Sequence, residues 1–347
     1  MPGKIGTHSG KFHCDEALAC FMLKQLPEFK DHEIVRSRDP AVHATCDIVV
    51  DVGDVFDHEK RRYDHHQAGF THTMDSLGSL KFNTKLSSAG LIYAHYGKAV
   101  INQLLGGNAG QDQVDMIFHR IYENFIEGVD AVDNGIPQYD GLPRYRMPGN
   151  LSSRVDHFNP NWNENDVNPD DRFVLAMNFV GGEFADAVKY LANVWWPARS
   201  LVEKAVDSRF SVDDSGKIIQ LEGGGPKEIY AEKISLISFL KIPPVINIES
   251  KRSRRAKRLN SKIGSPYRLL GGPSVTKNLS EVSGIPGGVF LSMPVDLLVA
   301  IKTREGAVRM AREALKIGGI ESQNGNEAKE AKIDDSTVKV TDAEMNA

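Results

Sequence analysis

Residues 4–26 read KIGTHSGKFHCDEALACFMLKQL. The first five, KIGTH, carry a short strand signal; a glycine-containing turn follows, and CDEALACFMLKQL presents an apolar face at helical spacing. A strand that turns into a helix opens an α/β unit, and the next segments continue it. HEIVRSR reads as a strand, and CDIVVDVG as a β-branched strand buried in a sheet. The fold class expected is α/β, with a mostly parallel N-terminal sheet flanked by helices.

Further along, DVFDHEKRRYDHH is hairpin-like. In KLSSAGLIYAHYG either Ser87 or Ser88 is placed to cap a helix, and a long amphipathic helix runs from about Asp112 to Val132, ending near Asn134-Gly135. The Gly- and Pro-rich NGIPQYDGLPRYRMPGN is a loop, and residues 171–209 return to helix, interrupted around Gly181-Gly182 and Pro197. KIIQLEGGGPKEIYAEK starts a more strand-like segment. The expected domains are residues 1–210, residues 211–318 as a smaller C-terminal α/β lobe, and residues 319–347 as a disordered acidic tail.

A 41% hydrophobic and 25% charged chain of 347 residues is long enough for two cores. No apolar run approaches the ~20 residues that span a bilayer. The start, Met-Pro-Gly-Lys-Ile-Gly-Thr-His, has neither the apolar core of a signal peptide nor an Arg-rich amphipathic leader. An intracellular protein without a membrane partner is expected. Cys14, Cys20 and Cys46 have no Cys-x-x-Cys spacing, which argues against a disulfide framework and a zinc cage. Residues 320–347 hold seven acids and three lysines and so account for the whole net charge of −4. A polyanionic substrate would therefore have to be held by local clusters or metal ions, because no global positive field draws it in.

Four groups of acids and histidines stand out. His8, His13, Asp15 and Glu16 surround the first strand-to-helix turn, at the sheet edge where open α/β folds bind ligands. Asp51 ends an apolar strand, where an ionised carboxylate is costly unless paired or bound to a cation. Asp64, His65 and His66 are consecutive. Asp130 and Asp133 end the long helix. Each has a plain local use: Asp15 and Glu16 complement a helix dipole, Asp51 starts a turn, and Asp133 ends a helix. Together they form a mixed oxygen and imidazole set that suits manganese or magnesium better than zinc.

GTHSGKFHCDEALACFML, IVVDVG, RRYDHHQAGF, TKLSSAGLIY and YENFIEGVDAVDNGIPQY resemble the melanocyte proliferating gene (MYG) family, a branch of the Asp-His-His phosphoesterase superfamily. The resemblance is close over residues 1–230 or so. It implies a two-ion phosphodiesterase using Mn2+ or Mg2+, with 3′-to-5′ exonuclease action on single-stranded RNA or short oligonucleotides. It also implies nuclear and mitochondrial locations, beside the cytoplasm. One ion falls to His8, His13 and Asp51, and the second to Asp15, Asp51, His65 and Asp133, with Asp51 bridging. His66 then faces the substrate phosphate and Asp64 fixes the imidazole from behind. Asp133-Asn134-Gly135 matches the superfamily's Asp-Thr-Gly better than Asp130 does, and Asp130 stays the alternative fourth acid. Where many members carry Asp-x-Asp, this chain has His13-Cys14-Asp15; Cys14 is read as a small buried thiol. His58, His72 and His95 are read as surface or core histidines.

The resemblance breaks at residues 231–282. It breaks again where VDLLVAI precedes Lys302-Thr303-Arg304 in place of a Gly-Gly-His phosphate loop, leaving Lys302 and Arg304 as the local cations for substrate. The basic run 251–258 reads as a nuclear localisation signal, a phosphate-binding patch or a solvated loop. Two other functions stay open on sequence: a phosphatase of small phosphoanhydrides or nucleotides, and a non-catalytic RNA-binding protein with a degenerate substrate lobe.

Overall fold

The computed structural model describes residues 2–145, 147–164, 166–216, 218–222, 246–250, 288–292 and 297–301, with residues 308 and 312. The chain divides into two compact units between Asn193 and Val194.

Five strands build the sheet of the first unit: β1 (Lys4–Thr7), β2 (Glu33–Arg36), β3 (Ile48–Val50), β4 (Phe56–Asp57) and β5 (Arg62–Tyr63). Their order is β2-β1-β3-β5-β4. β1 pairs parallel with β2 and with β3, β3 pairs parallel with β5, and only the β4–β5 hairpin is antiparallel. The mostly parallel α/β sheet read from the sequence is therefore the observed one. Ile5, Ile48 and Val50 are wholly buried, as both-face coverage of a parallel sheet requires.

Helices α1 (Cys14–Lys24), α2 (Pro40–His43) and α3 (Ser88–Leu104) follow. Then comes a helical run of α4 (Gln111–Ile121), a π-helical turn (Tyr122–Ile126) and α5 (Glu127–Asp133), succeeded by α6 (Leu151–Asp156) and α7 (Pro169–Tyr190). α1 packs against α3 and α7 and buries Ala17, Leu18, Met22 and Leu23 completely, each large side chain stabilising by ~1.5–3 kcal/mol. α7 runs unbroken through Gly181-Gly182, contrary to the interruption expected there. A Cβ on Gly181 would lie 2.0 Å from the Phe21 ring of α1, so this glycine permits close helix packing and does not break the helix. At Pro197 the expected break is present as a 3-10 turn, Trp196–Ala198.

The second unit holds α8 (Arg199–Asp207), α9 (Arg209–Val212), a parallel pair of β6 (Ile218–Glu222) with β7 (Ile246–Ser250), and an antiparallel pair of β8 (Gly288–Ser292) with β9 (Leu297–Ile301). The segment standing where Gly-Gly-His was anticipated is thus a laddered strand, with Val299 opposite Phe290 and Ile301 opposite Gly288. Lys302, Arg304, the basic run 251–258 and the tail 319–347 lie outside the described residues. Among the described residues no helix is long and apolar enough to cross a membrane.

Candidate metal centre

β1, β3 and β5 are neighbours in the sheet, and His8, Asp51 and Asp64 each directly follow one of them. Strands in a sheet lie about 4.8 Å apart, so three residues that leave adjacent parallel strands in step arrive within ligand distance of each other. His8 and Asp51 flank the point where the chain order reverses, the usual crevice for ligands in open α/β sheets. Asp51 has a φ of 57°, in the left-handed region that Asp tolerates better than most residues. Its N–H still donates to the Tyr63 carbonyl at 3.0 Å, so the ladder holds up to the residue that turns.

The two Asp51 oxygens face different partners. Oδ2 lies 3.4 Å from His8 Nε2, while Oδ1 lies 3.3 Å from His65 Nε2 and 3.6 Å from His66 Nδ1. Around His65 Nε2 stand Asp133 Oδ2 at 3.1 Å and Asp15 Oδ2 at 4.0 Å. The structure therefore gathers the sequence-predicted residues into three overlapping groups whose donor atoms lie within 4.8 Å of each other: His8, His13, Glu16 and Asp51; Asp51, His65 and His66; and His13, Asp15 and Asp133. His13 joins the first and third, so the exposed imidazole borders both poles.

These carboxylates and imidazoles strongly perturb each other. Burial alone would lower His8 and His65. Asp51 and Glu16 around His8, and Asp133 and Asp51 around His65, outweigh it and push each imidazole up to about 10. Asp51 is held down to about 2: burial opposes ionisation, but the His65 and His8 contacts prevail. Asp15 moves well upward, first through burial and then through the charges of Asp51, Asp133 and Glu16. Asp15 Oδ1, Asp51 Oδ1 and both His65 ring nitrogens are buried without an aligned hydrogen bond. Buried polar atoms rarely remain so, and a hard cation would satisfy several at once. The donor set of carboxylates and imidazoles fits Mn2+ or Mg2+ in kind. His8 Nδ1 lies 3.2 Å from the Ser9 carbonyl, the outer contact that frees Nε2 for ligation.

Asp64 binds the next two residues through one oxygen and the turn after Asp51 through the other. Its Oδ1 accepts from the His65 and His66 amides at 2.7 and 3.2 Å and pairs with His66 Nδ1 at 2.7 Å, while Oδ2 accepts from Asp54 N at 2.6 Å. The imidazole it holds from behind is that of His66; the His65 ring is placed by the strand end and the facing acids. The Asp64 contact raises the His66 pKa and turns Nε2 of this half-exposed ring away from the carboxylate.

The adjacent serines depart from the capping role read for them. Ser87 is the N-cap of α3 by backbone geometry, yet its hydroxyl makes no cap bond. It donates to Asp130 Oδ1 at 2.7 Å, its amide adds a second bond at 3.0 Å, and Tyr122 OH reaches Asp130 Oδ2 at 3.1 Å. Asp130, wholly buried and pushed up to about 7 by that burial despite these donors, ties α3 to α5. A Cβ at Gly90 would stand 2.4 Å from Asp130 Oδ1, which requires glycine there. Asp133, the other candidate acid, is the one brought to His65. Ser88 Oγ meanwhile donates to Asp15 Oδ2 at 2.7 Å, the oxygen that stands 4.0 Å from His65 Nε2.

Glu16, placed in the first cluster by the sequence but given no ligand role there, is buried, 2.9 Å from His8 Nε2, and accepts the His13 amide at 2.8 and 3.0 Å. Asn159 grips the Phe12 peptide, accepting from N at 2.9 Å and donating to O at 2.8 Å across 147 residues, and nothing local signals that. Asn159→Ala should leave the Phe12 amide unpaired at a cost of about 1–3 kcal/mol and loosen the turn between His8 and His13. Mn2+ affinity is expected to fall about tenfold; an unchanged binding isotherm would show that the turn holds itself.

Cys14 is buried, which pushes its thiol up to about 12. His58 stacks on His95 at 3.9 Å and pairs with Tyr63 OH at 2.6 Å; His72 packs edge-on against Phe56 and Phe70, and the Phe70 ring in turn packs edge-on against His65.

Comparison with known proteins gives the same direction. The model of the MYG1 exonuclease family, described as uncharacterised protein family (UPF0160), matches residues 4–238. MYG1 protein C27H6.8 of Caenorhabditis elegans is 51% identical over 96% of this chain and 99% of its own length. MYG1 exonuclease of Bos taurus is 44% identical over 90% of this chain and 85% of its own, and that of Homo sapiens 44% over 90% and 86%. No solved structure matches this chain. With over half of its length matched by the family model and relatives this similar, the chain belongs to the MYG1 exonuclease family.

Proposed function

We propose that this chain is a metal-dependent nuclease that hydrolyses phosphodiester bonds of single-stranded nucleic acid, RNA foremost, from the 3′ end. The observation that carries the reading is Asp51, whose two oxygens are divided between His8 on one side and His65 with His66 on the other. His8, His13 and Asp51 would hold one divalent cation, and Asp15, Asp51, His65 and Asp133 the second, with Glu16 beside the first. A pair of Mn2+ or Mg2+ ions there supplies an activated water and neutralises the charge of an in-line displacement. Asp64 orients His66, which offers a donor to a phosphate oxygen from the exposed side. The names of the mammalian relatives support a nuclease; the RNA substrate, the polarity and action in nucleus or mitochondrion rest on the resemblance. Lys302 and Arg304 are proposed as further phosphate contacts.

The test is a panel of single-stranded RNA, single-stranded DNA, dinucleotides and pyrophosphate with Mn2+. Oligonucleotides labelled at the 5′ or 3′ end report polarity. Stepwise shortening of RNA from the 3′ end is expected; turnover of pyrophosphate alone would replace the nuclease with a phosphatase, and no turnover at all would leave a binding protein.

A second expectation follows from the raised imidazoles. In the metal-free chain His8 and His65 keep their protons up to about pH 10, and ligation needs them neutral. Saturation with Mn2+ at neutral pH should release at least two protons, with buried Asp15 adding to the release as far as its carboxyl is protonated without metal, and affinity should weaken as pH falls. Titration calorimetry in buffers of different ionisation enthalpy measures this. Identical heats in all buffers would remove both histidines from the ligand set.

A further inference from the structure

Beside the donor cluster lies a second feature that the proposed chemistry does not use. The turn Ser9–Phe12 and the segment from α6 to α7 enclose a cleft of about 500 Å3, lined among others by Gly10, Lys11, Asn159, Asn161 and Trp162. Asn159, through its two bonds to the Phe12 peptide, locks one wall of the cleft to the turn that joins His8 to His13. Lys11 is two residues from His13, at most about 7 Å of chain, so an occupant of the cleft adjoins the donor cluster without overlapping it.

Trp162 is 95% exposed. An indole left in water forgoes the burial that makes tryptophan valuable to a fold, and an exposed aromatic on a cleft wall is what a ligand with a flat face would cover. The Lys11 ammonium pairs with Asp156 at 2.9 Å, but the two side chains are 63% and 46% exposed, and such pairs contribute little. Lys11 can exchange Asp156 for a phosphate at small cost. The cleft has the size of pockets that hold a nucleoside-sized ligand, and with no net positive charge on the chain to retain a polyanion, affinity has to come from local contacts.

We propose that this cleft seats a base of the single-stranded substrate, stacked on Trp162, with Lys11 on the adjoining phosphate. The proposal rests on the nuclease reading for the identity of its occupant. Stacking on one aromatic side chain is tolerant of base identity, so the cleft would anchor any sequence.

The experiment pairs Trp162→Ala and Trp162→Phe with a short oligonucleotide, RNA or DNA as the parent cleaves, in which each base in turn is replaced by an abasic sugar. In the parent one abasic position should raise KM about tenfold. In Trp162→Ala the intact oligonucleotide should show that same rise, and the abasic position should no longer matter; Trp162→Phe should recover most of the loss. Because Trp162 is exposed, its removal leaves the core untouched, which an unchanged Tm checks. An unchanged KM in Trp162→Ala, or a persisting abasic penalty, overturns the proposal. If the parent hydrolyses no phosphodiester, the nuclease reading fails separately. Fluorescence anisotropy of the labelled oligonucleotide then decides the cleft by the same comparison: equal affinity for parent and Trp162→Ala would reject it.

Discussion

Asp51→Asn should lower phosphodiester hydrolysis by at least about a thousandfold while the chain stays folded. Asn offers one carbonyl oxygen and an NH2 that cannot ligate, so it can serve one pole of the cluster and never both. It also removes a negative charge that faces His8 on one side and His65 and His66 on the other. The backbone should tolerate the change, because the φ of 57° at this position is one that Asn adopts as readily as Asp. In the metal-free protein, however, ionised Asp51 pairs with the protonated His8 and His65 rings, so losing its charge removes stability that is present at neutral pH. Thermal unfolding with and without Mn2+ should show a metal-free Tm somewhat below that of the parent and a much reduced gain on adding metal. Metal analysis should find less metal than the two equivalents proposed for the parent. Hydrolysis at the parent rate would remove Asp51 from the centre of the mechanism.

His65→Ala and His66→Ala are expected to fail in different ways although the residues are adjacent. His65 is buried with three carboxylates around Nε2, the farthest at 4.0 Å; without it Asp15, Asp51 and Asp133 lose the nitrogen that completes their set. One equivalent of metal should disappear, and activity with it. His66 is half-exposed and anchored through Nδ1 to Asp64, so its removal should leave both equivalents in place and lower kcat about a hundredfold, the range of a lost proton donor or phosphate contact. Emission spectroscopy of the purified variants, set beside kcat and KM, separates the two. Equal metal loss in both would defeat this division and place His66 among the ligands.

Much of this centre could be read without a structure, because its main donors obey a local rule. His8 and Asp51 each follow a strand, Asp64 follows the short strand Arg62–Tyr63, and parallel neighbours in an α/β sheet deliver such residues to one edge. His65 and His66 come with Asp64, and His13 and Asp15 come with the helix that β1 feeds. Those positions are set by periodicity of two and of 3.6, which a sequence displays.

Packing alone decided the rest. Asp130 and Asp133 lie within one turn of the same helix, and only the seating of α5 on α3 determines that Ser87 takes the first and His65 receives the second. Ser87 and Ser88 look alike as caps, yet reach Asp130 and Asp15 across 43 and 73 residues. Gly181 looks like a break and is instead the gap that Phe21 fills. Asp64 holds the ring of His66 because the Asp51 turn presents the Asp54 amide to its other oxygen. Asn159 finds Phe12 from 147 residues away. A local pattern fixes which face of an element is apolar and where the element ends. Hydrogen bonds between distant segments depend on the relative seating of whole helices and strands, which many weak apolar contacts set together and no short stretch of sequence records.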